Sequence, residues 1–400
     1  MKIIHCADIH LNSKMASNLT KEKAKERKAE LLHTFIRMVD YAVKEEVQAI
    51  IIAGDLFDHN QINKTTRNAV YDQIKLHPWI EFYYLQGNHD SNSFLADMEE
   101  IPENLKLFGK EWITYIAGEG GTAMEDESSE SESQQSCDMG SSVSGLNQSA
   151  VRKVAITGVE LDQENSSSVY DTLVLDAGCF NIVVMHGQES EQSGKDKTEI
   201  IALRELRNKG IDYLALGHIH RYKEDKLDAR GTYCYCGCLE GRGFDECGEH
   251  GFVLLEIDEE EGTSCRTFVP FACRQLYEIP ADVSGCHTTS DMKERIDNAL
   301  EQQEIASKSM VKVVLTGEIG VNDEMDIELL SKQFQDSFYF FKIKNQTKWK
   351  IDYHAYELDE SLKGEFIRTV REAEGMSEED KAAVIRYGIL AVSGEDISIL

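Results

Sequence analysis

The chain lacks any long apolar run. Nowhere in its 400 residues does a hydrophobic stretch approach the roughly 18 residues a helix needs to cross a bilayer, so no membrane-spanning helix is expected. No leader is expected either. Met1 runs directly into the strand-like Lys2-Ile3-Ile4-His5, which leaves no room for a secretory signal and points to a cytoplasmic protein. Positive charge is scarce: 42 Lys and Arg face 72 Asp and Glu, a formal net charge of −30. So acidic a chain is not expected to grip nucleic acid unaided, because that binding rests on basic side chains neutralising phosphates. A nucleic-acid enzyme stays open, since bound divalent cations invert the local field and a partner subunit can bring basic surface. Part of the acidity is local. Between Gly118 and Ala150, Glu119, Glu125, Asp126, Glu127, Glu130, Glu132 and Asp138 meet no Lys or Arg. This Ser-, Gly- and Glu-rich stretch reads as a disordered surface insertion.

Ten cysteines are present, but in a long chain without a secretion signal they read as reduced, mostly buried thiols. Cys234, Cys236 and Cys238 alternate in TYCYCGC and would share one strand face, a spacing able to hold a soft metal. Neither a C-x-x-C pair nor a neighbouring histidine completes a tetrahedral set, so three small hydrophobes on a buried face is the preferred reading.

The length implies two or three domains. KIIHCAD, AIIIAGD and EFYYLQG are strand-like, separated by an amphipathic helix over 20–46 and a helical stretch over 68–76. VRKVAITGV, FNIVVMHG and DYLALGH follow, with helical residues over 198–209 between the last two. Strands that are almost continuously apolar, alternating with helices, indicate an α/β layered fold whose sheets are covered on both faces. GTYCYCG and GFVLLEID are expected as closing antiparallel strands. The expected organisation is a domain over 1–272 carrying the insertion, a small α+β domain over 273–350, and a helical segment over 351–400 that packs or docks a partner.

Five of these apolar runs end in residues that carry chemistry. KIIHCAD gives Asp8 and His10, AIIIAGD gives Asp55, EFYYLQG leads to Asn88, His89 and Asp90, FNIVVMHG gives His186, and DYLALGH gives His218 and His220. In an open α/β sheet, ligands bind beyond the carboxyl ends of the strands, so distant segments can meet at one rim. Two aspartates, one asparagine and four histidines suit first-row divalent ions such as Mn, Fe or Zn better than Mg alone. They are too many for one ion that leaves room for substrate. With one carboxylate bridging, they divide into two sets of four, the makings of a two-metal site for in-line displacement at phosphorus.

In series, D-x-H, GDLFD, GNHD, H-G and GHIH resemble the calcineurin-like metallophosphoesterase superfamily, specifically its DNA-repair exonuclease branch of SbcD-like nuclease subunits. That resemblance implies two sheets flanked by helices, with a small capping domain behind them. It implies that Asp8, His10, Asp55 and His220 hold one ion, and that Asn88, His186 and His218 complete the second across a bridging Asp55. His89 is similar to the family's non-ligand catalytic histidine, with Asp90 orienting it or capping the helix that follows. It further implies Mn-dependent hydrolysis of DNA by metal-activated water, a possible homodimer, and an SbcC-like coiled-coil ATPase partner. One departure stands out: some relatives carry a histidine three residues after the bridging aspartate, where this chain has Asp58. A phosphatase or cyclic-nucleotide phosphodiesterase could use the same ligands, and a non-catalytic scaffold could keep the fold.

Two weaker signals lie outside the motifs. Arg242, in the glycine-rich GCLEGRGFDECGEHG, is a candidate phosphate contact or part of a solvated turn. In KIKNQTKWK, lysines surround Trp349; such a stretch could touch DNA, but alternating lysines also protect an edge strand, the preferred reading.

Overall fold

A computed structural model describes residues 1–15, 19–58, 62–90, 94, 100–118, 151–190, 200–321 and 323–393. The acidic stretch lies outside them, apart from Gly118. Two compact units result, Met1–Cys273 and Arg274–Leu400.

The first unit is built from β1 (Lys2–Cys6), β2 (Ala49–Ala53), β3 (Glu81–Leu85), β4 (Leu105–Leu107), β5 (Ile113–Ile116), β6 (Val154–Gly158), β7 (Phe180–His186), β8 (Gln188–Ser190), β9 (Ile200–Ala202), β10 (Tyr213–Gly217), β11 (Lys223–Lys226), β12 (Thr232–Tyr235), β13 (Gly251–Asp258) and β14 (Thr263–Pro270). One sheet runs β14-β13-β1-β2-β3-β4 and the other β11-β12-β10-β7-β6-β5. Their centres are parallel, which aims the ends of β1, β2 and β3, and of β7 and β10, along common directions.

Each central strand is buried on both faces, which is why its sequence is a continuous apolar run. Ile3, Ile51, Tyr83, Ile182, Val184, Tyr213 and Ala215 fill the space between the sheets. Their neighbours Ile4, Cys6, Ile50, Ile52 and Phe82 face outward onto Leu31, Phe35, Met38 and Val39 of helix α1 (Lys21–Lys44) and Val70 and Ile74 of helix α2 (Lys64–Leu76). Both helices begin where the sequence offers a side-chain oxygen: Thr20 caps Lys23 N–H, and Asn63 caps Thr65 N–H. On the second sheet, Val183, Met185, Leu214 and Leu216 are covered by Tyr170 and by Leu203 and Leu206 of the single-turn helix α3 (Leu203–Leu206).

In this unit the structure corrects two expectations. The helix expected over 198–209 is one turn only, because the β-branched pair Ile200 and Ile201 is taken up in β9, paired with β8. GFVLLEID pairs antiparallel with β1 as expected, but GTYCYCG runs parallel to β10; the chain first turns back along the edge as β11 and then enters the gap as β12. Cys234, Cys236 and Cys238 are buried, and burial pushes their thiols up, Cys234 to about 12. They stay protonated at neutral pH, and no cluster of metal-ligand type among the described residues includes them.

In the second unit β15 (Leu276–Asp282), β16 (Met310–Thr316) and β18 (Phe340–Asn345) form a sheet that is parallel throughout, with helices α4 (Thr289–Glu301) and α5 (Ile327–Phe334) in the crossovers. It is thus wound as α/β, where α+β was expected. Thr288 and Asp291 close a capping box at the start of α4. The pair β17 (Glu318–Gly320) and β19 (Lys348–Lys350) carries helices α6 (Leu362–Glu372) and α7 (Glu378–Ser393), packed through Val321, Ile367, Val370 and Ile385. The basic stretch is engaged internally: Lys348 pairs with Glu379, Lys350 with Glu318, and Arg386 lies 4.6 Å from the Trp349 ring centre.

Truncating Ile51, fully buried between the sheets, to alanine is expected to cost about 2–5 kcal/mol, read as a lower midpoint in urea unfolding.

Candidate metal centre

The ends of the central strands do not fray into open loops; they are tied to one another. Past β1 and β2 the chain continues as two zippered segments, with Asp8 N–H donating to Gly54 O at 3.0 Å, His10 N–H to Asp55 O at 2.9 Å and Leu11 N–H to Leu56 O at 2.9 Å. The turn is bought with strain: Asp8, His10, Asp55 and His218 have φ of 51°, 48°, 53° and 100°. Non-glycine residues in that region cost about 1–3 kcal/mol each and persist where the surroundings over-determine them, most often at functional sites. Two glycines allow the close approach. A Cβ on Gly54 would stand 2.1 Å from His186 Nδ1, and one on Gly217 would stand 1.9 Å from Ala53 O.

All seven expected ligands are brought to this rim. Asp8, His10 and His220 present ligand atoms within 4.8 Å of one another, as do Asp8, Asp55 and His186. Asp55 Oδ2 lies between the clusters, 3.6 Å from His10 Nε2 and 3.4 Å from His186 Nε2. Asn88 Oδ1 is 3.0 Å from His186 Nε2. His218 donates its backbone N–H to both Asp8 oxygens, at 2.9 and 3.0 Å, and sets its ring edge-on to His186 with centroids 5.4 Å apart.

The outer nitrogens of three imidazoles fix what the inner ones can do. His10 Nδ1 meets Asp58 Oδ1 at 3.1 Å, His220 Nδ1 meets Glu246 Oε1 at 2.7 Å, and His186 Nδ1 meets Ala53 O at 2.9 Å. Burial pushes the Asp58 and Glu246 carboxyls up, but His10 in one case and His220 with Arg242 in the other hold both below the usual range, so each accepts only. Each Nδ1 is therefore a donor, and at His10 and His220 this leaves Nε2 to turn a lone pair into the centre. His10 Nε2 and His220 Nε2 stand 3.2 Å apart, two acceptors converging on the same space. This is the arrangement of metal-ligating histidines, whose second nitrogen is held by a carboxylate or carbonyl. The field agrees: burial lowers His186, but Asp55 and Asp8 overcome it and raise its pKa to about 9, so the pocket draws positive charge. The donor set fits two divalent cations.

Sequence reading missed Asp58 and Glu246. Asp58 was visible only as the residue standing where relatives carry histidine, and Glu246 as one of several acids in a glycine-rich loop.

The remaining candidates separate. His89 is at the mouth, its side chain 48% exposed, with Nδ1 3.4 Å from Asp58 Oδ1 and its backbone N–H donating to Asp55 Oδ1 at 2.8 Å. Asp90 does not orient it. Among the described residues, the Asp90 carboxylate accepts from the backbone N–H groups of Leu56, Phe57 and Gly87 at 3.2, 2.8 and 3.0 Å, tying the GNHD loop to GDLFD, and Asp58 is the carboxylate that faces His89. Residues 91–93, where Asp90 was expected to cap a helix, lie outside the described residues. Arg242 is at the centre but already engaged: its guanidinium meets Glu246 Oε1 at 2.7 Å and Asp58 Oδ1 at 3.5 Å.

Removing the acceptor in Asp58→Ala is expected to weaken Mn2+ binding about 10–100-fold with the fold intact, measured by calorimetric titration beside circular dichroism.

Comparison with known proteins agrees with this geometry. Residues 1–222 match the Calcineurin-like phosphoesterase family model. The chain is 28% identical over 268 residues to the uncharacterized metallophosphoesterase YhaO of Bacillus subtilis, a match spanning 64% of this chain and 57% of that protein. It is 24% identical over 415 aligned positions to the DNA double-strand break repair protein Mre11 of Saccharolobus solfataricus, covering 99% of this chain and 96% of that one. A stretch of 94 residues is 33% identical to the protein of the same name from Sulfolobus acidocaldarius, 23% of each chain. With the family model spanning more than half of its length, the chain belongs to the calcineurin-like phosphoesterases.

Proposed function

We propose that the centre is that of a two-metal phosphodiesterase acting on DNA, a repair exonuclease/endonuclease that works with an SbcC-like ATPase. The observation that carries the catalytic part is the position of Asp55 Oδ2 between the inward nitrogens of His10 and His186. On this reading Asp8, His10, Asp55 and His220 would hold one ion, and Asp55, Asn88, His186 and His218 the other, with Mn2+ the expected metal and Fe, Zn or Mg the alternatives. When bound, such a pair polarises a phosphoryl oxygen and lowers the pKa of water. The protein's own groups do the rest. His89, anchored by its backbone to Asp55 and with Nδ1 toward Asp58, has its ring at the open mouth, where it can hand a proton to the departing oxygen. Arg242 holds the Asp58 and Glu246 carboxylates in place, and the 18% of its side chain that is exposed is the edge we assign to a phosphate.

DNA as substrate is supported by the near full-length alignment with a protein named for double-strand break repair. Pairing as a homodimer, docking of the ATPase on the second unit, and a cytoplasmic location belong to the same proposal.

Mn2+-supported hydrolysis of linear duplex DNA, a cyclic nucleotide and an aryl phosphomonoester should separate the readings. Duplex cleavage is expected; brisk monoesterase activity without it would replace the proposal with a phosphatase, and no Mn2+ uptake would leave a scaffold. In His89→Ala, kcat on duplex should fall about 10²–10⁴-fold while Mn2+ uptake is unchanged.

A further inference from the structure

A guanidinium is buried inside the first unit with no part in the centre as described so far. Arg27, on α1, is 0% exposed, and its Nε finds no acceptor among the described residues. Burying a charge is costly unless it is paired and hydrogen-bonded. Its partners all concern one segment and one helix. Nη2 donates to Gly241 O at 2.6 Å, Nη1 and Nη2 lie 3.4 and 3.5 Å from Glu240 Oε2, and Nη1 also meets Glu30. Glu240, 1% exposed, uses its other oxygen to accept from Thr34 Oγ1 of the same helix at 2.7 Å and from the backbone N–H of Cys273.

What these contacts pin is the start of Gly241-Arg242-Gly243, a segment whose two glycines give it little stiffness of its own. Immediately beyond the pin, Arg242 N–H donates to Glu246 Oε2 at 2.7 Å, and Arg242 Nη2 meets Glu246 Oε1 at 2.7 Å. Glu246 in turn holds His220 Nδ1 at 2.7 Å. His250 closes the far end, its Nε2 donating to Glu246 O at 2.7 Å. A continuous line of contacts therefore runs from α1 through Glu240, Gly241, Arg242 and Glu246 to His220.

We propose that Arg27, paired with Glu240, is a positioning residue for the metal centre: it fixes residues 240–246 so that Glu246 holds the His220 ring with Nε2 turned inward. The inference rests on the reading of His220 as a metal ligand. A buried pair that served stability alone would change the unfolding temperature and leave metal binding alone, so metal binding is the discriminating measurement.

The experiment is calorimetric titration of the full chain with Mn2+, comparing the native protein, His220→Ala, the double variant Arg27→Met with Glu240→Leu, and the isosteric Glu240→Gln. Removing both members of the pair avoids stranding one buried charge, the change that most threatens folding. Glu240→Gln keeps the shape and carries the test if the double variant does not fold. The native chain should take up two ions. His220→Ala should weaken one of them, and the Arg27 and Glu240 variants should weaken that same one by about 10–100-fold while the second keeps its native affinity. Folded variants that bind both ions as the native chain does would overturn the inference and leave the metal centre standing. A native chain that binds no Mn2+ would remove both.

Discussion

The Asp55 carboxylate is 1% exposed and joins the two halves of the centre, with Oδ2 facing His10 from the first sheet's loops and His186 from the second sheet. An ionised carboxylate so deeply buried is untenable without compensating charge and hydrogen bonds. Burial pushes Asp55 up, but His186, His10 and the His89 N–H together hold it well below the usual carboxylate range. The architecture follows from that requirement. Imidazoles from two sheets can meet one carboxylate only if the sheets are packed face to face with their strand ends at one rim, and the inter-sheet core of Ile51, Tyr83, Ile182 and Tyr213 provides that packing.

Strain and glycine follow from the same constraint. Asp8, His10 and Asp55 take left-handed backbone where their strands would otherwise carry on past the rim, and the zipper of three N–H···O bonds between the two segments offsets the cost. Gly54 and Gly217 bring the His186 ring and the Ala53 carbonyl closer than any side chain would permit. The residues flanking the proposed ligands are thus as constrained as those residues themselves.

The strand-end residues that meet at the rim were legible in sequence because they follow apolar runs, and a run buried on both faces has an unmistakable pattern. The parts that were not legible depend on partners distant along the chain. Nothing local to Ile200 and Ile201 says that residues 188–190 will pair with them, so a helix was the natural expectation. Nothing near Thr232 says that β12 will enter beside β10 in parallel. Asp90 looked like a partner for its neighbour His89, yet it reaches back 33 positions to Phe57 N–H, and the acid that faces His89 comes from GDLFD instead. Glu246 was one of four acids in its glycine-rich loop, and only the fold shows which of them meets His220.

The acid excess of the whole chain bears on how the proposed nuclease would hold its substrate. In the basic stretch 342–350, Lys348 and Lys350 are paired with Glu379 and Glu318, and Trp349 lies against Arg386. At the centre, Arg242 is matched by Glu246 and Asp58. The carboxylates of Asp8, Asp55, Asp58 and Glu246 at this rim repel a polyanion, and Coulomb repulsion at such short range is not screened by ordinary salt. Two divalent cations would reverse that sign at the point where the phosphate must sit, which makes metal loading a condition for binding as well as for chemistry. The acid excess of the chain is consistent with the proposal that a partner subunit contributes affinity along the rest of a duplex.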